Sequence, residues 1–294
     1  MKKLGSELLL LLTAAIWGFA FVAQRQGMQH MDPLLFNGIR FALGALVVGL
    51  LAGKKALPER KMPFPWLLGI VLFIAATLQQ IGIVYTTAGN AGFITGLYVV
   101  FVPLLGIFRK QHISGTILIA IILSVIGLYF INAQQSVTVS LGNLIVLISA
   151  VFWAWHVQLI DRYTRQYDTL TVAFYQCSFV ALASITAGLA WNLLNNPAYL
   201  TDGMFCSSLS AAFLPLLYGG VFSVGIAYTL QVHAQKKVAP APATIILCLE
   251  GVFALLGGWL LLNEQITGSI VLGAALLFTA MLISIRSKFT LRSG

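Results

Sequence analysis

Ten apolar stretches follow one another along the chain, each about 18 to 23 residues long, and the polar positions cluster in short connections between them. They run over roughly 5–24, 33–52, 66–87, 91–108, 113–131, 141–160, 171–192, 211–233, 241–262 and 266–285. Inside each stretch the apolar side chains are continuous and do not alternate with polar ones, which predicts helices and not the strands of a barrel wall. A helix rises about 1.5 Å per residue, so about 20 residues cross a bilayer core. The pattern predicts an all-α integral membrane protein of ten transmembrane helices. The longest connection is about Leu193–Ser210. No segment is large enough for a soluble catalytic or binding domain, so function must reside within the membrane.

The lysines and arginines fix the orientation. Of 17 in the chain, fifteen fall at the N-terminus (Lys2, Lys3), in every second connection and in the tail. The connections are those of Lys54, Lys55, Arg60 and Lys61, of Arg109 and Lys110, of Arg162 and Arg165, and of Lys236 and Lys237; the tail holds Arg286, Lys288 and Arg292. The intervening connections hold one, Arg25, and Arg40 lies inside the second span. Basic residues stay on the cytoplasmic side during insertion, so both termini are expected there, in the cytoplasmic (inner) membrane. A wrong span count would scramble this alternation.

Composition agrees. Hydrophobic residues make up 59% of the 294 and charged ones 9%, where an ordinary soluble domain has about 25% charged. A net charge of +9 would suggest nucleic acid in a soluble protein; here it places cations beside an anionic leaflet, and no nucleic-acid partner is expected. Lys2 and Lys3 before an apolar run resemble a secretory signal, but no clean small-x-small site follows around Ala20–Ala23. The run is read as an uncleaved first span. Cys177, Cys206 and Cys248 have neither metal spacing nor an even count for a disulfide framework.

Halfway along, the sequence restarts. Thr13-Ala-Ala-Ile-Trp17 matches Ser149-Ala-Val-Phe-Trp153, and Asp32 then matches Asp168 at the same offset. Further on, Gln80 aligns with Gln231, Tyr98 with Glu250, Phe101 with Phe253, and Gln111-His-Ile-Ser114 with Glu264-Gln-Ile-Thr267. Two five-span repeats follow, residues 1–135 and 136–294. Five is odd, so the second enters the membrane from the opposite face. Inverted repeats around a central cavity are a recurrent basis for alternating access.

Several of these residues carry a resemblance. Trp17-Gly18, Arg40, Asn90-Ala91, Leu249-Glu250-x-Val252-Phe253 and Trp259-x-x-Leu262-Asn263-Glu264 resemble, in their order and spacing, the EamA-type members of the drug/metabolite transporter superfamily. The likeness covers essentially the whole chain. The family's ninth-span motif usually reads Glu-Pro, where this chain has Glu250-Gly251 and, in the first half, Tyr98. The resemblance implies a secondary transporter whose cargo is a small metabolite, an amino acid or related compound, moved outward.

Polar side chains deep in hydrocarbon normally face a partner, a cavity or a water path. Glu250 lies near the middle of its span, as either a protonatable, substrate-contacting carboxylate or a structural group. Arg40 lies about 10 Å deep at the helical rise, as a gating or structural charge or a carboxylate receptor. Thr13, Trp17, Ala20 and Gln24 share one helix face, and Ser149, Trp153 and His156 repeat that face in the other half. Gln79 and Gln80 sit deep in the third span, and Tyr228 and Gln231 form an i, i+3 pair in the eighth. The cavity candidates are therefore Thr13, Trp17, Gln79, Gln80, Tyr98, Trp153, His156, Tyr228, Gln231 and Glu250, from spans 1, 3, 4, 6, 8 and 9. For the tryptophans and His156 the alternative is core packing.

Ala88, Gly92 and Gly96 form a small-residue stripe, read as close packing within the chain or as a homodimer contact. Pro103, Pro240 and Pro242 are candidate bends, the last two also candidate helix starts. There is no phosphate loop, metal-ligand spacing or nucleophile elbow, so neither enzyme nor ATP-driven pump is expected. No cofactor is expected, and coupling to a proton or sodium gradient and uncoupled exchange fit equally. A passive pore, a lipid flippase and a carrier of nucleotide or lipid-linked sugars are the rivals.

Overall fold

The computed structural model describes residues 2–53, 66–86, 88–132, 141–262 and 265–286, and every regular element among them is helical. The first three are α1 (Lys2–Gly27), α2 (Pro33–Ala52) and α3 (Trp66–Val84). The fourth apolar run is split into α4 (Ala88–Gly96) and α5 (Tyr98–Phe108), and α6 (Gly115–Asn132), α7 (Leu141–Tyr163) and α8 (Thr169–Asn195) follow. The connection after α8 holds α9 (Ala198–Thr201) and α10 (Met204–Ala211), helices that the polar pattern there did not announce. The eighth run comprises α11 (Phe213–Leu217), a ten-residue π-helical segment (Tyr218–Ala227) and α12 (Tyr228–Gln235). The ninth is split into α13 (Pro240–Leu247) and α14 (Glu250–Leu262), and α15 (Gly268–Arg286) ends the described fold. The cations of the 54–61 connection, the tail cations Lys288 and Arg292, and the Asn263-Glu264 end of the resemblance lie outside the described residues.

Nine helical runs among the described residues are at least 18 residues long and apolar enough to cross a membrane, and a shorter apolar helix, Gly115–Ile131, stands where the fifth span was expected. Its 17 residues are at the lower end of the length that crosses a bilayer, about 17–25. The outward faces are apolar: Phe108 is 85% exposed, Leu194 83% and Leu50 75%. So much exposed hydrocarbon is unstable in water and fits a lipid surface. The chain is a multi-pass membrane protein.

Matched residues in the two halves do matching work. Asp32 caps α2, its Oδ1 accepting from the N–H groups of Leu34 and Leu35 at 2.9 and 3.0 Å. Asp168 caps α8 in the same way, accepting from Leu170 and Thr171 at 3.0 and 3.4 Å. Each satisfies N–H groups that a helix start leaves free. At Asp32, burial pushes the carboxyl above its ordinary range although both N–H bonds favour the charged form.

Pro240 simply starts α13. The interruptions of the fourth and ninth runs fall instead at Leu97 and at Cys248–Leu249, before Tyr98 and Glu250. Pro103 lies inside α5, beyond the interruption. The two breaks touch, the Cys248 thiol donating to the Gly96 carbonyl at 3.2 Å.

Glycines mark close helix crossings and give their directions. Gly38 faces Ile185, Gly49 faces Phe174 and Gly188 faces Leu35, so α2 and α8 run antiparallel. Gly44 faces Val224 and Gly225 faces Val47, so α2 and the π segment run parallel. Gly18 faces Glu250 and Phe253 while Gly257 faces Phe19 and Val22, making α1 and α14 parallel. The Ala88 stripe packs within the chain: Gly92 meets Phe21 and Ala254, and Gly96 meets Leu128.

Candidate functional site

Residues of seven spans converge on one interior cavity of about 40 Å³, room for a few waters at roughly 10–15 Å³ each. One wall is aromatic. Trp17 and Tyr228 meet edge to face with ring centroids 5.0 Å apart, Trp153 lies nearly parallel to Tyr228 at 6.2 Å, and Trp17 and Trp153, which the sequence aligns, are 6.5 Å apart. The Trp17 indole Nε1 donates to the Ser223 carbonyl at 3.0 Å, which pins α1 to the π segment. Such π turns often accompany functional sites because their wider i→i+5 spacing re-aims side chains.

The polar lining comes from both halves. Gln79 donates to the Thr95 hydroxyl at 3.0 Å. Arg40 enters from α2, its Nε donating to Asn37 Oδ1 at 2.8 Å and its guanidinium lying 5.1 Å from the Phe41 ring centre. Glu250 and Tyr98 begin the second segments of the two broken runs and lie side by side, yet the Tyr98 hydroxyl and Glu250 Oε1 form no well-shaped hydrogen bond. Gln24 Oε1 and Gln231 Oε1 are likewise buried without partners. The cavity thus holds one guanidinium, one carboxyl and a set of open amide groups inside an apolar shell.

Of the sequence candidates, Trp17, Gln79, Tyr98, Trp153, Tyr228, Gln231 and Glu250 line this cavity, and so does Arg40. Arg40 makes α2 a lining helix, one not among the spans expected to line the cavity. Three candidates lie elsewhere. Thr13 turns to the Leu9 and Ala227 carbonyls, at 2.8 and 3.4 Å. Gln80 is buried off the cavity with neither amide atom bonded. His156 stands behind the aromatic wall, sharing a 2.8 Å hydrogen bond with Gln176 and meeting Trp153 edge-on. Neighbouring helices claim Thr13 and His156 before the cavity does.

The lining residues not anticipated include Phe21, Thr95, Val157 and Ser223. Phe21 and Val157 stand four residues beyond Trp17 and Trp153, so the helical stripe could have named them. Thr95 is three before Tyr98, but across the break. Ser223 is five before Tyr228, a spacing that places two residues on one face in a π turn and not in an α-helix.

A second polar cluster ties the end of α5 to α7, away from the cavity. Gln158 donates to the Val102 carbonyl at 2.9 Å and exchanges hydrogen bonds with Gln111 at 2.9 and 3.0 Å. Arg109 donates to both the side chain and the main-chain carbonyl of Gln158, at 2.9 and 2.6 Å. The fully buried Asp161 pairs with Arg165 at 3.3 Å and Arg109 at 3.9 Å. At another helix end Arg25 donates to the Ile83 and Val84 carbonyls, at 2.7 and 3.1 Å, where a cation complements the C-terminal dipole.

A lipid-facing helical bundle around a polar and aromatic chamber defines the class: a multi-pass membrane protein with an interior cavity. The chain matches the EamA-like transporter family over residues 4–133 and again over 140–286, and it belongs to that family. An "uncharacterized transporter" of Archaeoglobus fulgidus is 31% identical over 290 residues, covering 96% of this chain and 86% of its own length. A "probable amino-acid metabolite efflux pump" of Escherichia coli is 24% identical over 298 residues, covering 94% and 93%. A solved crystal structure covers 96% of both chains at a TM-score of 0.72 and 18% identity, a likeness of fold alone. Among the described residues no group of His, Cys, Asp and Glu is arranged to hold a metal ion.

Proposed function

We propose that this transporter is a secondary carrier of a small metabolite, an amino acid or related compound moved outward across the cytoplasmic membrane by alternating access. In this reading ten spans form two inverted five-helix repeats, residues 1–135 and 136–294, with both termini cytoplasmic. Helix directions support the count. Antiparallel α2 and α8 require an odd number of span-to-span reversals between them, which the fifth span, α6, supplies. The two separate family matches, to 4–133 and 140–286, support the repeat.

The observation that carries the proposal is the cavity itself, a narrow interior chamber lined by Trp17 and Trp153 and by Tyr98 and Glu250, the pairs that the sequence aligns. Its free volume of about 40 Å³ suits a few waters, so a metabolite fits only when the spans part. The aromatic wall and single guanidinium suit a compact solute better than the polyanionic head of a nucleotide sugar.

Three measurements test this reading. Reconstituted protein is expected to give saturable uptake with counterflow, which a passive pore lacks. Lys54, outside the described residues, and Lys236 are expected to be labelled from the same membrane face; labelling from opposite faces would overturn the inverted ten-span arrangement. Glu250→Gln keeps the side chain's shape and removes its charge. It is expected to leave membrane abundance near normal and to lower transport about tenfold or more, the scale of one charged hydrogen bond. Unchanged transport across roughly pH 5–8, the range in which histidine changes charge, would return Glu250 to a structural role.

A further inference from the structure

We infer that the cavity is a zwitterion site, in which Arg40 receives the anionic group of the solute and Glu250 its cationic group. The inference rests on the carrier reading of this cavity and adds the charge pattern of the cargo and the residues that select it.

Arg40 and Glu250 line the same chamber, are 2% and 3% exposed, and come from opposite halves of the chain. Leaving a charge deep in a membrane protein uncompensated costs several kcal/mol, so both are expected to have partners. The protein does not pair them with each other. Asp161 forms ion pairs with Arg109 and Arg165, and no ion pair joins Arg40 to Glu250. Of the five N–H donors of a guanidinium, Arg40 spends its Nε–H on Asn37, and its two terminal amino groups make no hydrogen bond to a described residue. Glu250 Oε1 has none either. Tyr228 stands within electrostatic reach of both groups, with the rings of Trp17 and Trp153 against it.

That layout asks for two opposite charges on one molecule. A planar fork with free terminal amino groups matches a carboxylate in two-point contact. The ammonium group then falls to Glu250, with aromatic faces close by to attract a cation. A solute with a carboxylate alone leaves Glu250 unpaired and repelled. An amine alone leaves Arg40 in the same state. Selection comes from the charge each wrong solute strands, the kind of discrimination that unpaired buried polar groups enforce.

The test uses full-length protein in proteoliposomes and two matched sets of solutes. One set is L-phenylalanine, phenethylamine and hydrocinnamate; the other is L-leucine, isopentylamine and isocaproate. Each set holds one side chain with both charges, the ammonium alone and the carboxylate alone. Counterflow is expected to favour the zwitterion by about tenfold or more, the scale of one charged hydrogen bond. Arg40→Gln is expected to erase the advantage over the amine, Glu250→Gln the advantage over the acid, and Arg40→Lys to keep part of the first. If Arg40→Gln fails to fold, the wild-type comparison and Glu250→Gln still decide. Equal exchange of single-charge and zwitterionic solutes overturns the inference, as does an equal loss for all three solutes in both variants. Counterflow of some other metabolite but of neither amino acid overturns it while the carrier reading stands. Absence of saturable exchange for every solute removes both.

Discussion

A Gly18→Val chain is expected to accumulate poorly in the membrane and to run as aggregate in detergent, while Gly92→Ala behaves as wild type. A Cβ at residue 18 would stand 2.3 Å from Phe253 Cβ, 2.7 Å from Ala254 N and 2.7 Å from the Glu250 carbonyl. Two of those three atoms are main chain and cannot swing aside. Overpacking a tight interior typically costs about 1–3 kcal/mol, and here relief requires α1 and α14 to separate along their length. Separation would also displace Glu250, so surviving protein should lose transport. At Gly92 the same atom would stand 3.7 Å from Phe21 and 3.8 Å from Ala254, ordinary contact. Abundance, size-exclusion profile and melting temperature measure the contrast. Wild-type values for Gly18→Val would show that α1 and α14 do not approach this closely.

Gln158→Leu is expected to lower the melting temperature in detergent by the largest margin of any single change in the α5–α7 cluster. The substitution removes two donated hydrogen bonds, to Val102 and Gln111, and two accepted ones, from Arg109 and Gln111. The leucine leaves the Val102 carbonyl and the Gln111 amide without these partners, and a stranded buried group costs about 1–3 kcal/mol. A loss of roughly 3 kcal/mol follows from two such groups. Replacing Gln111 with leucine as well should return part of the loss, because removing both partners of a buried hydrogen bond costs less than removing one. Additive losses in that double-substitution cycle would mean that Gln111 and Gln158 do not act on each other.

Much of the site was legible because membrane spans obey strong local constraints. Trp17 and Trp153 could be read as facing partners from a shared helical stripe and a sequence repeat, and their rings stand 6.5 Å apart. Tyr98 and Glu250 aligned in sequence, and each begins the second segment of a broken run. His156 marks the limit of spacing within one helix. It falls on the right face of α7 by spacing, but Gln176 from α8 claims it. Gln79 and Gln80 are neighbours in sequence, and the lining takes the first and not the second.

The sequence by itself determined that the protein lies in a membrane, that it is helical, and which buried polar residues need partners. These follow from composition, period and charge placement, which lipid imposes span by span without reference to the rest of the fold. Only the tertiary structure decided which partners those residues found. The breaks at Leu97 and Cys248, the π turn that brings Ser223 and Tyr228 to one face, and the entry of Arg40 into the cavity depend on how several helices pack together. Spacing within one helix carries no record of that, because which neighbouring helix a face meets is set by how the helices pack together.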